Sequence, residues 1–435
     1  MKFIVIGITD HPQPWFPPEV LDIIRQGKVF SGGRRHHEIV AQLLPPGAEW
    51  IDITVPLDAV FGQYKASRDA LHPSRDTEII VFASGDPLFF GFANTIRRKM
   101  PDADIRLFPS FNSLQMLAHR LLLPYHDMRI VSLTGRPWPE LDRALIERSP
   151  KTGILTDREH TPAAIAQRML DYGYTGYRMH VGEHLGNPAE ERVTTLSLAE
   201  AAGRSFSHPN CCLIEATPHA DGAAPAPLAD GAAPPLADGS FPVVAPRPFG
   251  IPDTDFALLN GRERMITKMP IRLLTLQALD LPRRHVLWDI GFCTGSVSIE
   301  ARLQFPHLHI EAFEIRPECE AIIRENMRRH GAPGIAVHIG DFCSVCCDSI
   351  ATSHRPDAIF IGGHGGQLKA IMAKALGYLA PDGIIVMNSV KAPLVTTDSH
   401  RLWDEACREL GLRQEPPMYI QIDEHHPITI LKCRK

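Results

Sequence analysis

Hydrophobic and polar residues alternate along the first half of this chain in a pattern that is typical of α/β proteins. Short apolar runs of strand length are separated by amphipathic stretches with helical spacing. The predicted strands cover residues 3–7, 78–83, 105–108, 129–132 and 152–155, and the predicted helices cover residues 92–100, 113–121 and 161–172. This alternation predicts mostly parallel sheets that are covered by helices.

The pattern is clearer in the second half of the chain. Strands are predicted at residues 286–289, 309–314, 335–339, 358–361 and 383–388, with helices between them at residues 296–304, 317–330 and 368–379. Strands and helices that alternate with this spacing predict a doubly wound open sheet. In such a sheet the ligand site lies at the carboxyl ends of the strands.

The tripeptide Ala-Asp-Gly recurs three times between the two halves, at residues 220–222, 229–231 and 237–239. The surrounding segment is rich in Ala and Pro and has no apolar periodicity, so it buries too little surface to offset the entropy of ordering. We therefore predict an extended, semi-stiff linker over residues 217–247. The predicted domains on either side cover residues 1–216 and 248–435.

Length and composition narrow the class of protein. The 435 residues exceed what one hydrophobic core usually serves, which favours two or three domains. A net charge of −5 gives no support for nucleic-acid binding, and no run approaches the roughly 20 apolar residues of a membrane span. We expect a cytoplasmic enzyme that acts as a homo-oligomer, without a nucleic-acid or membrane partner.

Nine cysteines raise the question of a metal site. Cys343, Cys346 and Cys347 form a cluster, and Cys211 and Cys212 form a pair. A structural zinc site requires two spaced pairs of ligands, and no second C-x-x-C accompanies the first. In a reducing compartment such thiols are usually small buried hydrophobic residues, so no metal is predicted.

Two glycine-bearing turns carry the candidate chemistry. Gly85-Asp86-Pro87 closely follows one predicted strand, and the stretch from Asp289 to Gly295 follows another. In both, glycine lets the backbone approach a nucleotide-like ligand closely. The two turns follow different patterns, so the chain does not read as a duplicated domain. The simplest reason to join two such domains in one chain is that their two active sites act on one substrate.

The second turn, Asp289-x-Gly291-x-Cys293-x-Gly295, resembles motif I of the class I S-adenosylmethionine (SAM) methyltransferases. Its small residues let the backbone pass close to the amino-acid end of the cofactor. The alternative is a nicotinamide-binding fold, which would prefer G-x-G-x-x-G and a helix end that faces a pyrophosphate. The sequence Gly291-Phe292-Cys293-Thr294-Gly295 does not supply that pattern.

Polar residues at later strand ends support a SAM site. Glu314 ends the next strand, where an acidic side chain can bind both ribose hydroxyls. Asp341 follows the third strand and suits the adenine amino group. Gly362 follows the fourth strand in a glycine-rich loop, which we expect beside the reacting methyl group.

The second half also resembles the C15-methylating and decarboxylating module of cobalamin (vitamin B12) biosynthesis. The resemblance rests on residues 265–272, the motif I turn, residues 298–301 and residues 361–363, and it extends from residue 249 to the end of the chain. It implies that Thr267 contacts the cofactor. The chain departs from the family at Cys293, where a glycine is usual, and at Met269-Pro270. His364 is the candidate general acid for decarboxylation.

The first half resembles the tetrapyrrole methylase family (class III), and more narrowly its precorrin C5-methylating branch. The matching motifs are Gly-Asp-Pro at residues 85–87, Gly-Gly-Arg-Arg-His at 32–36, and the stretches 109–115, 132–136 and 183–186. The resemblance implies that SAM binds between two α/β subdomains, at Gly85, Asp86, Pro87 and Ser113. The chain departs from the family at Thr9-Asp10, where a second glycine normally follows Gly7.

Three arginines are candidates for substrate binding. A heavily carboxylated macrocycle needs arginine, because the guanidinium fork matches a carboxylate with two hydrogen bonds. Arg34, Arg35 and Arg136 lie beside glycines in predicted loops, from which a side chain can reach into a cleft. The alternative for each is a solvated surface charge.

Together the two resemblances imply an α/β protein with a tetrapyrrole-methylase fold followed by a Rossmann-like methyltransferase domain. They imply two SAM sites, C5 methylation of a precorrin by the first domain, and C15 methylation with decarboxylation of the ring C acetate by the second. Three alternatives stay open. The second half could methylate another small molecule or RNA, the chain could be a tetrapyrrole carrier with one inactive domain, or it could be a dehydrogenase.

Overall fold

The computed structural model describes residues 1–71, 78–217, 249–390, 399–421 and 428–434, which fold into α-helices and three β-sheets. The strands are β1 Lys2–Ile8, β2 Val29–Gly32, β3 Glu49–Asp52, β4 Glu78–Ser84, β5 Asp104–Phe108, β6 Arg129–Ser132, β7 Lys151–Leu155, β8 Tyr177–Glu183, β9 Arg192–Ser197, β10 Asn210–Ala216, β11 Val286–Ile290, β12 His309–Glu314, β13 Ile335–Ile339, β14 Ala358–Ile361, β15 Ile384–Val390, β16 Arg413–Gln414, β17 Met418–Ile420 and β18 Ile428–Arg434. The helices are α1 Pro18–Gln26, α2 Arg34–Val40, α3 Leu57–Leu71, α4 Phe92–Lys99, α5 Ser113–Leu121, α6 Pro139–Ile146, α7 Pro162–Asp171, α8 Leu198–Ala202, α9 Met269–Ala278, α10 Ser296–Gln304, α11 Glu318–His330, α12 Asp348–Ser353, α13 Leu368–Tyr378 and α14 Ser399–Glu409.

The first sheet has the order β3-β2-β4-β1-β5, and all its strands are parallel. The register pairs Ile8 at the end of β1 with Ser84 at the end of β4, so both strands end at the same edge. A side chain at Gly7 would put its Cβ 1.9 Å from the carbonyl oxygen of Gly85. Glycine is therefore required where these two strands end.

The second sheet has the order β6-β7-β10-β8-β9, and only β6 and β7 are parallel. The expectation of mostly parallel sheets is wrong for this sheet. A short connection, residues 184–191, joins β8 to β9, and such a connection allows only antiparallel pairing, because a parallel neighbour needs a longer crossover.

The third sheet confirms the predicted doubly wound arrangement. Its order is β13-β12-β11-β14-β15-β18-β16, with β17 also paired to β18. Strands β11 to β15 are parallel, and β18 runs antiparallel to β15. Separate hydrophobic clusters cover its two faces, which explains why β11 is buried along its whole length.

The described residues group into two compact units. The first comprises Met1–Pro137, Pro150–Arg168 and Gly176–Thr217, and the second comprises Trp138–Ser149, Met169–Thr175 and the chain from Pro218 onward. Apart from Thr217, the predicted linker lies outside the described residues, so its extended form stays a prediction, as do the domain bounds. Within the described part of the chain, no helix combines the length and the apolar character that crossing a bilayer requires.

Candidate functional site

A cavity of about 500 Å³ opens in the first unit, where β1 and β4 end. This volume is in the range of sites for small molecules and cofactors. Of the predicted site residues, Gly85, Ser113 and Arg35 line the cavity. The walls are mostly apolar or aromatic, including Phe89, Phe90, Phe92, Phe111 and Met116.

The Gly85 turn is built so that only glycine fits. Gly85 has a φ of +60°, and an added Cβ would lie 2.8 Å from the Cα of Asn112. Its amide donates to the carbonyl of Ile8 at 2.8 Å, and its carbonyl accepts from the amide of Ser110. The Asp86 carboxylate accepts a hydrogen bond from the amide of Leu88 at 2.8 Å. Asp86 and Pro87 therefore shape the turn and are not among the residues that line the cavity.

Ser113 is placed by the cap of helix α5. Asn112 Oδ1 accepts from the amide of Gln115 at 2.9 Å, and Gln115 Oε1 accepts from the amide of Asn112 at 3.0 Å. This reciprocal capping box fixes the first turn of α5. Asn112, Ser113 and Met116 from that turn form one wall of the cavity.

The three predicted substrate arginines lie in different surroundings. Arg34 and Arg35 begin helix α2, so their predicted loop placement is wrong; Gly33 ends the loop and caps the helix. Arg34 is exposed, pairs with Glu38 at 3.2 Å and does not line the cavity. Arg136 does lie in a loop, with its guanidinium carbon 5.1 Å from the centre of the Phe90 ring.

Arg35 is held at the cavity by an acidic residue that sequence reasoning left without a role. Arg35 Nη1 donates to Asp10 Oδ1 at 2.5 Å, and Asp10 Oδ2 lies 3.1 Å from His184 Nδ1. The Asp10 side chain is only 9% exposed and the Arg35 side chain is 37% exposed, so the carboxylate is shielded from water while the guanidinium stays accessible. The departure from the family at Asp10 was the available signal, since an acid beside a substrate arginine fixes its orientation.

In the second unit, Asp289 is fully buried at the end of β11. Its Oδ2 accepts from Ser298 Oγ at 2.5 Å, whereas Oδ1 has no hydrogen-bond partner among the described residues. Burial raises the pKa of Asp289 to about 7. An unpaired buried carboxylate oxygen is costly. The ammonium group at the amino-acid end of SAM would satisfy such an oxygen, so this residue fits the cofactor.

The glycines of the second turn meet strict backbone demands. Gly291 has a φ of +79°, and a Cβ there would lie 2.7 Å from the amide nitrogen of Gly363. Gly295 has a φ of +74° and caps α10, with no room for a Cβ beside Ile323. Cys293 also has a positive φ, +50°, in the position where the family has glycine. The chain tolerates this left-handed residue at a cost of roughly 1–2 kcal/mol.

Glu314 ends β12 and is already surrounded by donors. Its carboxylate accepts from the amide of Cys293 at 3.0 Å and from Nε and Nη2 of Arg316 at 3.0 and 2.7 Å. Burial raises the pKa of Glu314, but hydrogen bonds from Arg316 and Cys293 outweigh burial and hold the pKa below its ordinary value. Sequence reasoning missed Arg316, and no feature of its local sequence distinguishes it from a surface charge.

The remaining predicted cofactor residues of the second unit lie in turns at strand ends or in the segment before α9. Asp341 accepts from the amide of Cys343 at 3.1 Å, so one of its oxygens shapes its own turn. The amide of Gly362 donates to the carbonyl of Ile290 at 2.8 Å. The carbonyl of Thr267 accepts from Arg272 Nη1 at 2.9 Å.

Most of the predicted cofactor residues of the second unit lie at one edge of the third sheet. Strands β11 to β14 are parallel and in register, so Asp289, Gly291, Glu314, Asp341 and Gly362 all lie at the carboxyl edge of the third sheet. That is the expected ligand edge of a doubly wound sheet.

His364, the candidate general acid, lies in the loop after β14. Its Nδ1 accepts from the amide of Gly366 at 3.1 Å, and its Nε2 lies 3.1 Å from Ser399 Oγ. Burial lowers the pKa of His364. The imidazole is therefore neutral near pH 7 and carries its proton on Nε2.

The cysteines show no arrangement that suggests a metal. Among the residues that the structure describes, no group of three or more His, Cys, Asp or Glu side chains is placed to hold a metal ion. Burial raises the pKa of the Cys343 and Cys347 thiols. Raised thiol pKa values are typical of cysteines that pack as small hydrophobic residues.

Sequence models of two families match the chain, one in each half. The model of the tetrapyrrole (corrin/porphyrin) methylases matches residues 2–202. The model of the precorrin methyltransferase domain matches residues 260–411. The first match contains the whole Gly85 turn, and the second contains the turn from Asp289 to Gly295.

Curated relatives match the whole chain and each half separately. The precorrin-6Y C(5,15)-methyltransferase [decarboxylating] of Sinorhizobium sp is 33% identical over 400 residues, which are 91% of this chain and 87% of the relative. The cobalt-precorrin-6B C(15)-methyltransferase (decarboxylating) of Salmonella typhi is 33% identical over 42% of this chain and 95% of the relative. The cobalt-precorrin-7 C(5)-methyltransferase of Salmonella typhimurium is 26% identical over 42% of this chain and 84% of the relative. With one relative aligned over nearly its full length and both family models matched, the chain belongs to the family of the decarboxylating precorrin-6Y C(5,15)-methyltransferases.

Proposed function

We propose that this chain methylates a precorrin at C5 and C15 and removes carbon dioxide from the ring C acetate, as a step of cobalamin biosynthesis. The observation that carries the proposal is the alignment with a C(5,15)-methyltransferase over 91% of the chain. Relatives that are named for only one of the two methylations align with about half of the chain. Each half is therefore assigned one methylation.

We assign C5 methylation to the cavity of the first unit. SAM, when bound, supplies an activated methyl group on a sulfonium. Gly85 and the first turn of α5, which includes Ser113, provide backbone and hydroxyl groups that can hold it. Arg35, oriented by Asp10, is the residue to which we assign binding of a macrocycle carboxylate. Methyl transfer from SAM depends more on the alignment of the reacting groups than on a strong base. Such alignment can lower the activation barrier by about 7–11 kcal/mol.

We assign C15 methylation and decarboxylation to the carboxyl edge of the third sheet. Asp289, Gly291, Gly295, Glu314, Asp341 and Gly362 form the second SAM site in this proposal, with Thr267 as a further contact. As carbon dioxide leaves, its bonding electrons pass into the conjugated ring, and the carbon then takes up a proton. His364 is the candidate donor of that proton, from the imidazolium form that the ring reaches by taking up a proton from water. Replacement of His364 by Ala should lower the rate of decarboxylation more than the rate of C15 methylation. If the variant loses the same fraction of both rates, or of neither, this assignment is wrong.

The function is tested by mass spectrometry of anaerobic reactions. Each reaction contains a reduced precorrin, SAM, and either the intact chain or one half cut within residues 217–247. The expected product of the intact chain has gained two methyl groups and lost carbon dioxide. The first half alone should add one methyl group, and the second half alone should add one methyl group and release carbon dioxide.

Other outcomes separate the alternatives. Gain of a single methyl group by the intact chain would mean that one domain only binds the tetrapyrrole. No change in mass, while SAM binds, would mean that the methyltransferase folds act on another substrate. Each half is tested with both metal-free and cobalt-containing precorrins.

A further inference from the structure

Ser84 is the last residue of β4, and it lines the cavity immediately before the Gly85 turn. Two nitrogen atoms approach its hydroxyl from helix α2. Arg35 Nη2 donates to Ser84 Oγ at 3.0 Å, and His36 Nε2 lies 2.9 Å from the same oxygen. The side chain is exposed to the cavity, although it was not among the residues predicted from the sequence.

The backbone fixes which nitrogen of His36 carries the proton. The amide of Gly33 donates to His36 Nδ1 at 3.2 Å, so Nδ1 must be the bare nitrogen that accepts. In a neutral imidazole the other nitrogen then carries the proton. Burial, and next the charge of Arg35, lower the pKa of His36 to about 4, so the ring has only this one proton at neutral pH. His36 Nε2 is therefore a donor and faces Ser84 Oγ; the ring also makes a hydrogen bond with the backbone of Phe82, which raises the pKa of His36 by less than burial and Arg35 lower it.

With these two donors in place, the Ser84 hydroxyl can make one further hydrogen bond, in which it donates its own proton. A hydroxyl has two acceptor lone pairs and one proton to donate. Arg35 and His36 occupy both lone pairs, and among the described residues no acceptor takes the proton. The two donors therefore direct the O–H bond away from α2, toward the cavity that Ser84 lines. A hydroxyl that accepts a hydrogen bond from a cation is also a stronger donor.

We propose that Ser84 is a ligand-binding residue whose hydroxyl, oriented by Arg35 and His36, donates a hydrogen bond to a carboxylate of the ligand in this cavity. The inference rests on the proposed function, because both ligands of that reaction carry carboxylates. One source is the amino-acid end of SAM, and the other is an acidic side chain of the macrocycle. Arg35 lies beside the donor, but its charge is paired with Asp10, which also lines the cavity, so the Ser84 hydroxyl is the group that the proposal assigns to the carboxylate.

Three variants of the full chain test the proposal through C5 methylation. Ser84→Ala removes the donor, Ser84→Thr keeps a hydroxyl, and Ser205→Ala changes an exposed serine that does not line the cavity. Loss of a hydrogen bond to a charged group should raise the KM for the ligand that it contacts by about tenfold or more. A rise in the KM for SAM assigns the donor to the cofactor carboxylate, and a rise in the KM for the precorrin assigns it to the substrate. Ser84→Thr should restore most of the loss.

A second measurement does not depend on activity. Nitrogen-15 NMR of the full chain with labelled histidine reports which ring nitrogen is protonated, and a His36→Gln variant identifies the His36 signals. The proposal requires a neutral His36 with the proton on Nε2. A proton on Nδ1, or a doubly protonated ring at pH 7, would overturn it even if both methylations occur.

The remaining outcomes are distinct. Equal KM values for Ser84→Ala and Ser205→Ala, in a chain that methylates C5, would overturn the role of Ser84 and leave the proposed function in place. A wild-type chain that binds neither SAM nor a precorrin, with His36 protonated on Nε2 as expected, would overturn the proposed function, and the assignment of the ligand would fall with it.

Discussion

At the scale of single residues, Asp289 shows how a buried carboxyl group can cost stability. Its carboxyl has an ordinary pKa of 3.8 and a folded-state pKa of about 7, because burial disfavours the charged form. Between about pH 4 and 7 the folded protein therefore keeps a proton that the unfolded chain has released. The free energy of unfolding should fall as the pH rises through this window, by up to about 1.4 kcal/mol per pH unit.

The Asp289→Asn variant tests this linkage. Asparagine does not titrate, so the variant should lose the downward slope between pH 4 and 7 and become more stable than the wild type at pH 7. Urea denaturation at several pH values measures the difference, with Asp382→Asn as the exposed control. Equal slopes for the wild type and Asp289→Asn would show that Asp289 is charged throughout this range.

Glu314 and Arg316 make a second prediction at this scale. The amide of Arg316 adds a fourth hydrogen bond to the Glu314 carboxylate, at 3.1 Å, so its acceptor positions are filled. Ribose hydroxyls can bond to this carboxylate only if the Arg316 side chain moves aside. Arg316→Ala should therefore lower the KM for SAM in C15 methylation by up to about fivefold, the value of a partly exposed ion pair.

The matched variant is Glu314→Gln, which removes the carboxylate and should raise the same KM by about tenfold or more. Both values are measured with the precorrin at saturation. If Arg316→Ala instead raises the KM for SAM, Arg316 itself contacts the cofactor and is not a competitor for Glu314.

At the scale of elements, the turn after β11 depends on glycine. Alanine at Gly291 would keep a φ of +79° and bring its Cβ within 2.7 Å of Gly363. The left-handed backbone and the overlap together should lower the free energy of unfolding by about 2–4 kcal/mol. Gly377 in α13 is the control, because a Cβ there meets nothing within 4 Å. Gly377→Ala should stabilise the chain by about 0.5–1 kcal/mol, and denaturation curves measure both variants.

A buried ion pair joins helix α9 to helix α10, and its carboxylate also binds the segment before α9. Arg272 Nε lies 3.2 Å from Glu300 Oε2, and both side chains are 0% exposed. Glu300 also accepts from the amides of Gly250 and Ile251 at 3.0 and 2.9 Å. Glu300, part of the motif that resembles the C15-methylating module, thus has a structural role.

Glu300→Gln should destabilise the second unit strongly, because it removes the fully buried carboxylate partner of Arg272 and leaves only the partly exposed Asp253 as a counter-charge. The expected loss is about 3–5 kcal/mol in the free energy of unfolding. Glu320→Gln breaks an exposed pair with Arg324 and should cost less than about 1 kcal/mol. Similar losses for the two variants would mean that Arg272 finds other acceptors.

The same scale explains which elements the sequence could predict. Strands β12, β13 and β14 match their predicted bounds. The four residues of β14 are all apolar and buried, as expected of a central parallel strand. Strand β8 was missed, because it contains His180 and Glu183, which are buried with polar partners. His180 Nδ1 lies 2.8 Å from Thr195 Oγ1, and Glu183 Oε1 accepts from the amide of Ser207. Such partners are brought together only by the fold.

Helix α2 was missed for a related reason. It begins with Arg34 and Arg35, and its cap is formed by Gly33 and the side chain of His36. The residues of the candidate site also fall into those that the sequence could predict and those that it could not. Residues at strand ends, such as Asp289 and Glu314, could be found because strand ends are visible in the sequence. The contact between Asp10 and His184 joins residues 174 positions apart, and no local pattern indicates it.

At the scale of the whole molecule, the proposed function joins in one chain two reactions for which separate, shorter relatives are named. Each half-length relative covers 42% of this chain. Since single-reaction relatives of half this length exist, each half should hold its own active site. We therefore expect the chain to keep both methylations after a protease site inserted within residues 217–247 has been cut.

The benefit of the fusion should appear in the second reaction. While the halves are joined, the predicted semi-stiff linker should hold them at a raised effective concentration, provided that its reach matches the separation of the sites. After cleavage, the rate of the doubly methylated product should fall as the protein is diluted into the low micromolar range, whereas the rate per molecule of the uncut chain should stay constant. Mass spectrometry at a series of protein concentrations measures both rates, with uncut chain treated with inactive protease as the control. Equal rates at every dilution would mean that the intermediate is released into solution between the two reactions, and that joining the halves serves only to produce them in equal amounts.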